Sequence, residues 1–140
     1  MGQEIDAAEL EVRNFLNHMT VLVDEASPEA LAELYCEDGV WESEVTTVSG
    51  RAAILELLRG NRKSGHAGPG SRTRHMLSNV TVSVEHDGQA ATAHAYWTLM
   101  HTASSEPKVT RAGDYSFRLR KEPTGWRVAY RRVGFFGADR

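Results

Sequence analysis

Cys36 is the only cysteine among 140 residues. An internal disulfide is therefore excluded, and no second thiolate is available for a zinc site. No apolar run approaches the length needed to span a bilayer, and the first residues, with Glu4, Asp6, Glu9 and Glu11, lack the basic and apolar regions of a secretory leader. A cytoplasmic protein with no membrane partner is the expectation. No glycine-rich turn joins a strand to a helix as a dinucleotide needs, and the glycines from 60 to 70 lack the lysine and hydroxyl of a phosphate-binding loop. No cofactor is implied. His94 and His101 lie seven apart on one expected strand and so point to opposite faces, which argues against a metal site built with His75.

What remains is an ordinary globular composition, 41% hydrophobic and 25% charged, enough to bury one core, so residues 1–140 are expected to form one domain. The net charge of −3 hides an asymmetry. Residues 1–50 carry twelve acidic side chains and one basic one, Arg13, whereas residues 51–140 carry seven acidic and fifteen basic. The arginines of the second half alternate with apolar residues, and no stripe of exposed aromatics offers a platform for bases, so nucleic acid is not an expected partner. An acidic helical layer facing a basic outer sheet, within a protomer or across a homo-oligomer (dimer or trimer), accounts for the asymmetry.

Apolar residues at Leu10, Val12, Phe15, Leu16, Met19, Leu22 and Val23 recur at helical spacing and predict an amphipathic helix from Glu4 to about Asp24. Ser27 and Pro28 start a second, short helix through Tyr35, closed by a turn at Asp38 and Gly39. Val40 to Val45 reads as a short strand, and Ile54, Leu57 and Leu58 stripe a third helix ending at Gly60. Glycines and a proline from Ser64 to Ser71 predict a mobile loop, a candidate lid. Period-two patterning then predicts strands at Thr73–Glu85, Gln89–Thr102, Val109–Lys121 and Trp126–Phe135. The fold class expected is α+β, with three N-terminal helices packed on a curved antiparallel sheet around a pocket for a small apolar molecule.

Alternation places Ala91, Ala93, Ala95, Trp97, Leu99 and His101 on one inward face, joined by Gly113, Tyr115, Phe117 and Leu119, and by Trp126, Val128 and Tyr130. Arg118, Arg120, Arg127 and Arg131 are then expected outside. In the first long strand His75 and Leu77 share a parity that Val80, Val82 and Val84 do not, so a β-bulge is expected around Ser78 and Asn79. The expected pocket wall and substrate-binding set is Trp41, Trp97, Leu99, Tyr115 and Phe117. A buried histidine needs a partner, and Asp24, interrupting the apolar end of the first helix, is the candidate for His75. A carboxylate that fixes an imidazole tautomer provides what a general base needs. The pair also reads as a structural contact fixing helix to sheet, and His101 as a strand-end histidine in solvent.

Several blocks carry a family resemblance: Val21-Leu22-Val23-Asp24, Leu34-Tyr35-Cys36-Glu37-Asp38-Gly39-Val40-Trp41, Gly50-Arg51, Thr73-Arg74-His75-Met76-Leu77-Ser78-Asn79-Val80 and Gly125-Trp126-Arg127. Over nearly its whole length the chain resembles the SnoaL-like branch of the nuclear transport factor 2 superfamily, especially its scytalone dehydratase and dehydrochlorinase members. The resemblance implies a cone-shaped fold and a catalytic pair at Asp24 and His75, with His101 where scytalone dehydratase-like members have a second pocket histidine. Val23 stands where such dehydratases often have a tyrosine, and the supporting tyrosine of the short strand is replaced around Trp41 to Ser43. The function this implies is a cofactor-independent lyase or isomerase of dehydratase or cyclase type, acting on a hydrophobic cyclic or polyketide-like molecule. The alternative is a non-catalytic binding or assembly module of the same fold.

Overall fold

The computed structural model describes residues 2–65 and 67–137. Helix α1, Gly2–Glu25, buries Ala8, Val12, Leu16 and Met19, one residue per turn along a single stripe, and leaves Leu10 and Val21 exposed. Ser27 caps α2, Pro28–Ala32, by accepting the Ala30 N–H at 3.1 Å, as its sequence signature requires. Strand β1, Tyr35–Glu42, pairs with the short β2, Thr47–Ser49, and α3, Arg51–Lys63, follows. The four long strands are β3, Thr73–Val84; β4, Ala90–His101; β5, Lys108–Glu122; and β6, Gly125–Phe135. All six strands form one sheet in the order β2-β1-β6-β5-β4-β3.

Several expectations near the start of the sheet are corrected. The second helix stops at Ala32 and does not reach Tyr35, because Tyr35 and Cys36 are fully buried as strand residues beside β6, where the Val128 N–H donates to the Leu34 carbonyl. Asp38 and Gly39, expected to close a helix, lie in a register shift within β1, where the Gly39 backbone packs against the carbonyls of Cys36 and Val128. The strand ends at Glu42, short of Val45, and β2 was not anticipated. The sheet is antiparallel as expected apart from the β1–β6 pair, which is parallel.

The expected bulge in β3 is present. The register with β4 shifts between Ser78 and Thr81, and Asn79 adopts φ 53°, a conformation asparagine tolerates better than most side chains. Arg13 on α1 donates to the Val80 carbonyl at 2.8 Å and fixes the helix over this bend. A second bulge was not anticipated. Between Val128 and Tyr130 the β6 register slips by one residue at Ala129, so Trp126 and Val128 face inward, and then Arg131 and Val133 do.

Part of the charge asymmetry is paired within the protomer. Asp38 pairs with Arg120 (3.2 Å), Glu42 with Arg132 (3.5 Å), Glu11 with Lys121 (3.8 Å) and Glu29 with Arg59 (3.0 Å), each joining an acid of the first half to a base of the second. Among the described residues no helix is long and apolar enough to cross a membrane.

Candidate functional site

A cavity of about 460 Å³ opens between the concave face of the sheet and the helices, within the size range of small-molecule sites. Trp41, Trp97, Leu99 and Tyr115 line it as expected. Phe117 does not. It is buried one step deeper on β5, packed edge-on to Tyr115, and belongs to the core. Tyr115 stacks on Trp97 with ring centroids 5.7 Å apart, and the Trp97 indole donates to the Gly134 carbonyl at 3.1 Å, so this wall is fixed from behind.

Asp24 and His75 meet. The last turn of α1 carries Asp24, only 3% exposed, against the first residues of β3. One carboxylate oxygen accepts the His75 backbone N–H at 2.8 Å, and the other lies 2.8 Å from its Nδ1. A carboxylate can only accept, so Nδ1 carries a proton and, in the neutral ring, Nε2 is the lone-pair nitrogen. His75 lines the cavity, with its ring tilted against Trp97 at 6.2 Å. The arrangement can take a proton from a molecule in the cavity and hold the resulting imidazolium beside a carboxylate.

His101 does not join them. It shares a parity with Leu99, but β4 ends there and β5 carries an extra residue between the partners of Leu99 and Met100; the side chain is exposed beyond the cavity rim and its Nδ1 accepts the Ala103 N–H at 3.4 Å. His94 lies on the outer face, 2.9 Å from Asp114. Among the described residues no three His, Cys, Asp or Glu side chains converge as a metal would require.

Three arginines that line the cavity, Arg62, Arg111 and Arg131, were not anticipated. Arg131, expected on the outer face, is turned inward by the bulge at Ala129 and is only 7% exposed. Its Nη1 donates to the Tyr35 hydroxyl at 3.2 Å, its guanidinium lies 4.3 Å over the Tyr115 ring, and its Nε has no partner among the described residues. Burial works against its charge, but the phenols of Tyr35 and Tyr115 outweigh burial and hold its pKa above the ordinary arginine value. Burial likewise raises the Tyr115 phenol, with Arg131 opposing, so Tyr115 stays protonated at neutral pH. A signal existed in the sequence: Val133 and Phe135 share the parity of Arg131, while Trp126 and Val128 do not, the same slip that revealed the bulge in β3.

Arg62 reaches in from the last turn of α3 and donates from Nη2 to the Ala26 carbonyl. Burial lowers its pKa and nearby Asp24 partly restores it. Gly68, with φ +108°, covers its guanidinium so closely that a Cβ there would lie 1.7 Å from Nη1. Part of the expected lid is thus a packed cover: Gly68 is buried, Ala67 lines the cavity, and Ser71 bonds the Gly68 carbonyl at 2.7 Å and the Thr73 hydroxyl at 2.8 Å. His66, within this segment, lies outside the described residues.

No curated protein matches the chain significantly. Among solved structures, a nuclear transport factor 2-like protein with a cystatin-like fold from Novosphingobium aromaticivorans is 29% identical, with 95% of this chain and 84% of that one covered and a TM-score of 0.78. A candidate scytalone dehydratase from the same species is 18% identical over 96% and 88% of the two chains, TM-score 0.78. ActVI-ORFA from Streptomyces coelicolor is 21% identical over 92% and 98%, TM-score 0.76. The fold is therefore the cystatin-like fold of nuclear transport factor 2-like proteins. The SnoaL-like domain model matches residues 6–132, and the chain belongs to the SnoaL-like family.

Proposed function

We propose that the chain is a cofactor-independent lyase or isomerase that takes a proton from a hydrophobic cyclic or polyketide-like molecule. His75 is the general base through Nε2, and Asp24 is the positioning residue that sets its tautomer and stabilises the imidazolium. The observation that carries this reading is the double contact of Asp24 with the backbone and ring of His75 at the wall of an apolar cavity. Likeness in fold to a candidate scytalone dehydratase agrees with it.

A binding or assembly module would need the cavity but not the paired side chains, and the 2.8 Å contact favours catalysis over that alternative. The test is solvent-deuterium incorporation at the α-carbon of bicyclic ketones, such as 2-tetralone with and without a ring carboxylate, followed by mass spectrometry. Exchange by the wild type that disappears in His75→Ala supports the reading. Exchange unaffected by that substitution, or none with any ketone of the panel, returns the protein to the binding class.

A further inference from the structure

The charges around the cavity do not balance. Arg62, Arg111 and Arg131 line it, and among the described residues no aspartate or glutamate does. Arg111 lies exposed at the rim, where water screens it. Arg62 sits near Asp24, and its guanidinium is closed off by the Ala26 carbonyl and Gly68. Arg131 has no carboxylate partner among the described residues. Its described contacts are neutral, the Tyr35 hydroxyl and the faces of Tyr115 and Phe117, and its Nε–H is buried without an acceptor. A charge left this way is costly unless something that enters the site completes it.

A neutral ketone or ether would displace cavity water and leave the guanidinium still without a counter-charge. A molecule that arrives already ionised would supply one. We propose that the cavity takes an apolar organic anion, a carboxylate carried on a cyclic hydrocarbon body and held by the guanidinium of Arg131, the most deeply buried cation of the cavity wall. Tyr35 accepts from Arg131 Nη1 and so fixes the orientation of the guanidinium from within the core. The planar guanidinium suits the planar carboxylate, which is ionised at neutral pH where a simple phenol with a pKa near 10 is not. The apolar body then lies against Trp41, Trp97 and Leu99, within reach of His75. The inference rests on reading this cavity as the ligand site, and it adds the class of ligand.

Isothermal titration with 2-naphthoate, 2-naphthamide and 2-naphthol at pH 7 tests it without requiring turnover. The wild type is expected to bind naphthoate roughly ten-fold or more tighter than the amide, as one charge-assisted contact in a buried site provides. Arg131→Met should cut that preference to about two-fold or less. Arg131→Gln, which keeps a donor beside Tyr35 without the charge, serves the same purpose if the methionine variant fails to fold. His75→Ala, which leaves the anchor intact, should retain the preference. Amide bound as well as naphthoate, naphthol bound best, no binding of naphthoate, or a preference that survives loss of the Arg131 charge would each overturn the proposal. An intact preference alongside absent deuterium exchange would remove only the proton-abstraction reading.

Discussion

Replacing Asp24 by asparagine separates the chemistry of the site from its architecture. The carboxylate accepts twice from His75, from the backbone N–H and from ring Nδ1, each at 2.8 Å. Asparagine offers one oxygen and one NH2 group in the same space. The backbone N–H can only donate, so the amide oxygen must face it, which turns the NH2 toward Nδ1. That contact is satisfied only if the ring proton moves to Nε2, the nitrogen on the cavity side. Every hydrogen bond is then kept, and the stability lost is the charge assistance alone, about 1 kcal/mol or a melting-temperature drop of about 4 °C. Asp24→Ala instead leaves two buried donors unpaired, at ~1–3 kcal/mol each. Proton abstraction should fall on the order of 10⁴-fold in Asp24→Asn, the loss that a wrong tautomer imposes on a histidine base in a serine-protease triad. Urea unfolding gives the stabilities, and ring-nitrogen NMR shifts identify which nitrogen is protonated. A proton still on Nδ1 in Asp24→Asn, or an asparagine variant as unstable as the alanine one, would refute the reasoning.

Two further outcomes follow from the packing. Burial pushes the Cys36 thiol up to about 11. The folded state therefore holds the proton that the unfolded chain releases near pH 9, so this contribution is complete below pH 9 and lost as pH rises toward 11, on the order of 2 kcal/mol. Urea midpoints of wild type and Cys36→Ala at pH 8 and 10.5 should diverge accordingly, and parallel falls would count against it. Gly113→Ala places a Cβ 1.8 Å from the Gly134 carbonyl oxygen and 2.8 Å from the Trp97 ring. Because backbone stands in the way, β5 and β6 must separate, with a cost of about 3 kcal/mol or more and loss of the Trp97 near-ultraviolet circular dichroism band. A melting temperature within a few degrees of wild type would contradict this.

The sequence was most legible where one period ran unbroken. The α1 stripe and the alternation through Ala91 to Leu99 put the helix, the central strand and the pocket wall in place, and the parity slip after Leu77 located the β3 bulge. Asp24 was legible because a carboxylate on an apolar helix end has to find a partner. It was least legible where tertiary contacts overrode local signals. Tyr35 and Cys36 continue an apolar helical pattern, yet the space beside β6 takes them as strand. Arg131 reads as outward because arginine defaults to water and an unbroken period would run through Ala129, where the register slips. Parity and the family resemblance both point His101 inward, and neither tells where a strand runs out of cavity.

Asp24 has a second consequence, for solubility. Strand β3 is the last in the sheet, and a free edge invites another strand to pair with it. Helix α1 meets that edge with side chains in place of backbone: Asp24 takes the His75 N–H near one end, and Arg13 fills the Val80 carbonyl farther along. The carboxylate that orients the imidazole thus also helps to keep the strand from recruiting a neighbour. Selection against aggregation would preserve Asp24 even in a descendant that had abandoned the chemistry, and its presence in a relative is by that measure weaker evidence of catalysis than an imidazole that still faces the cavity.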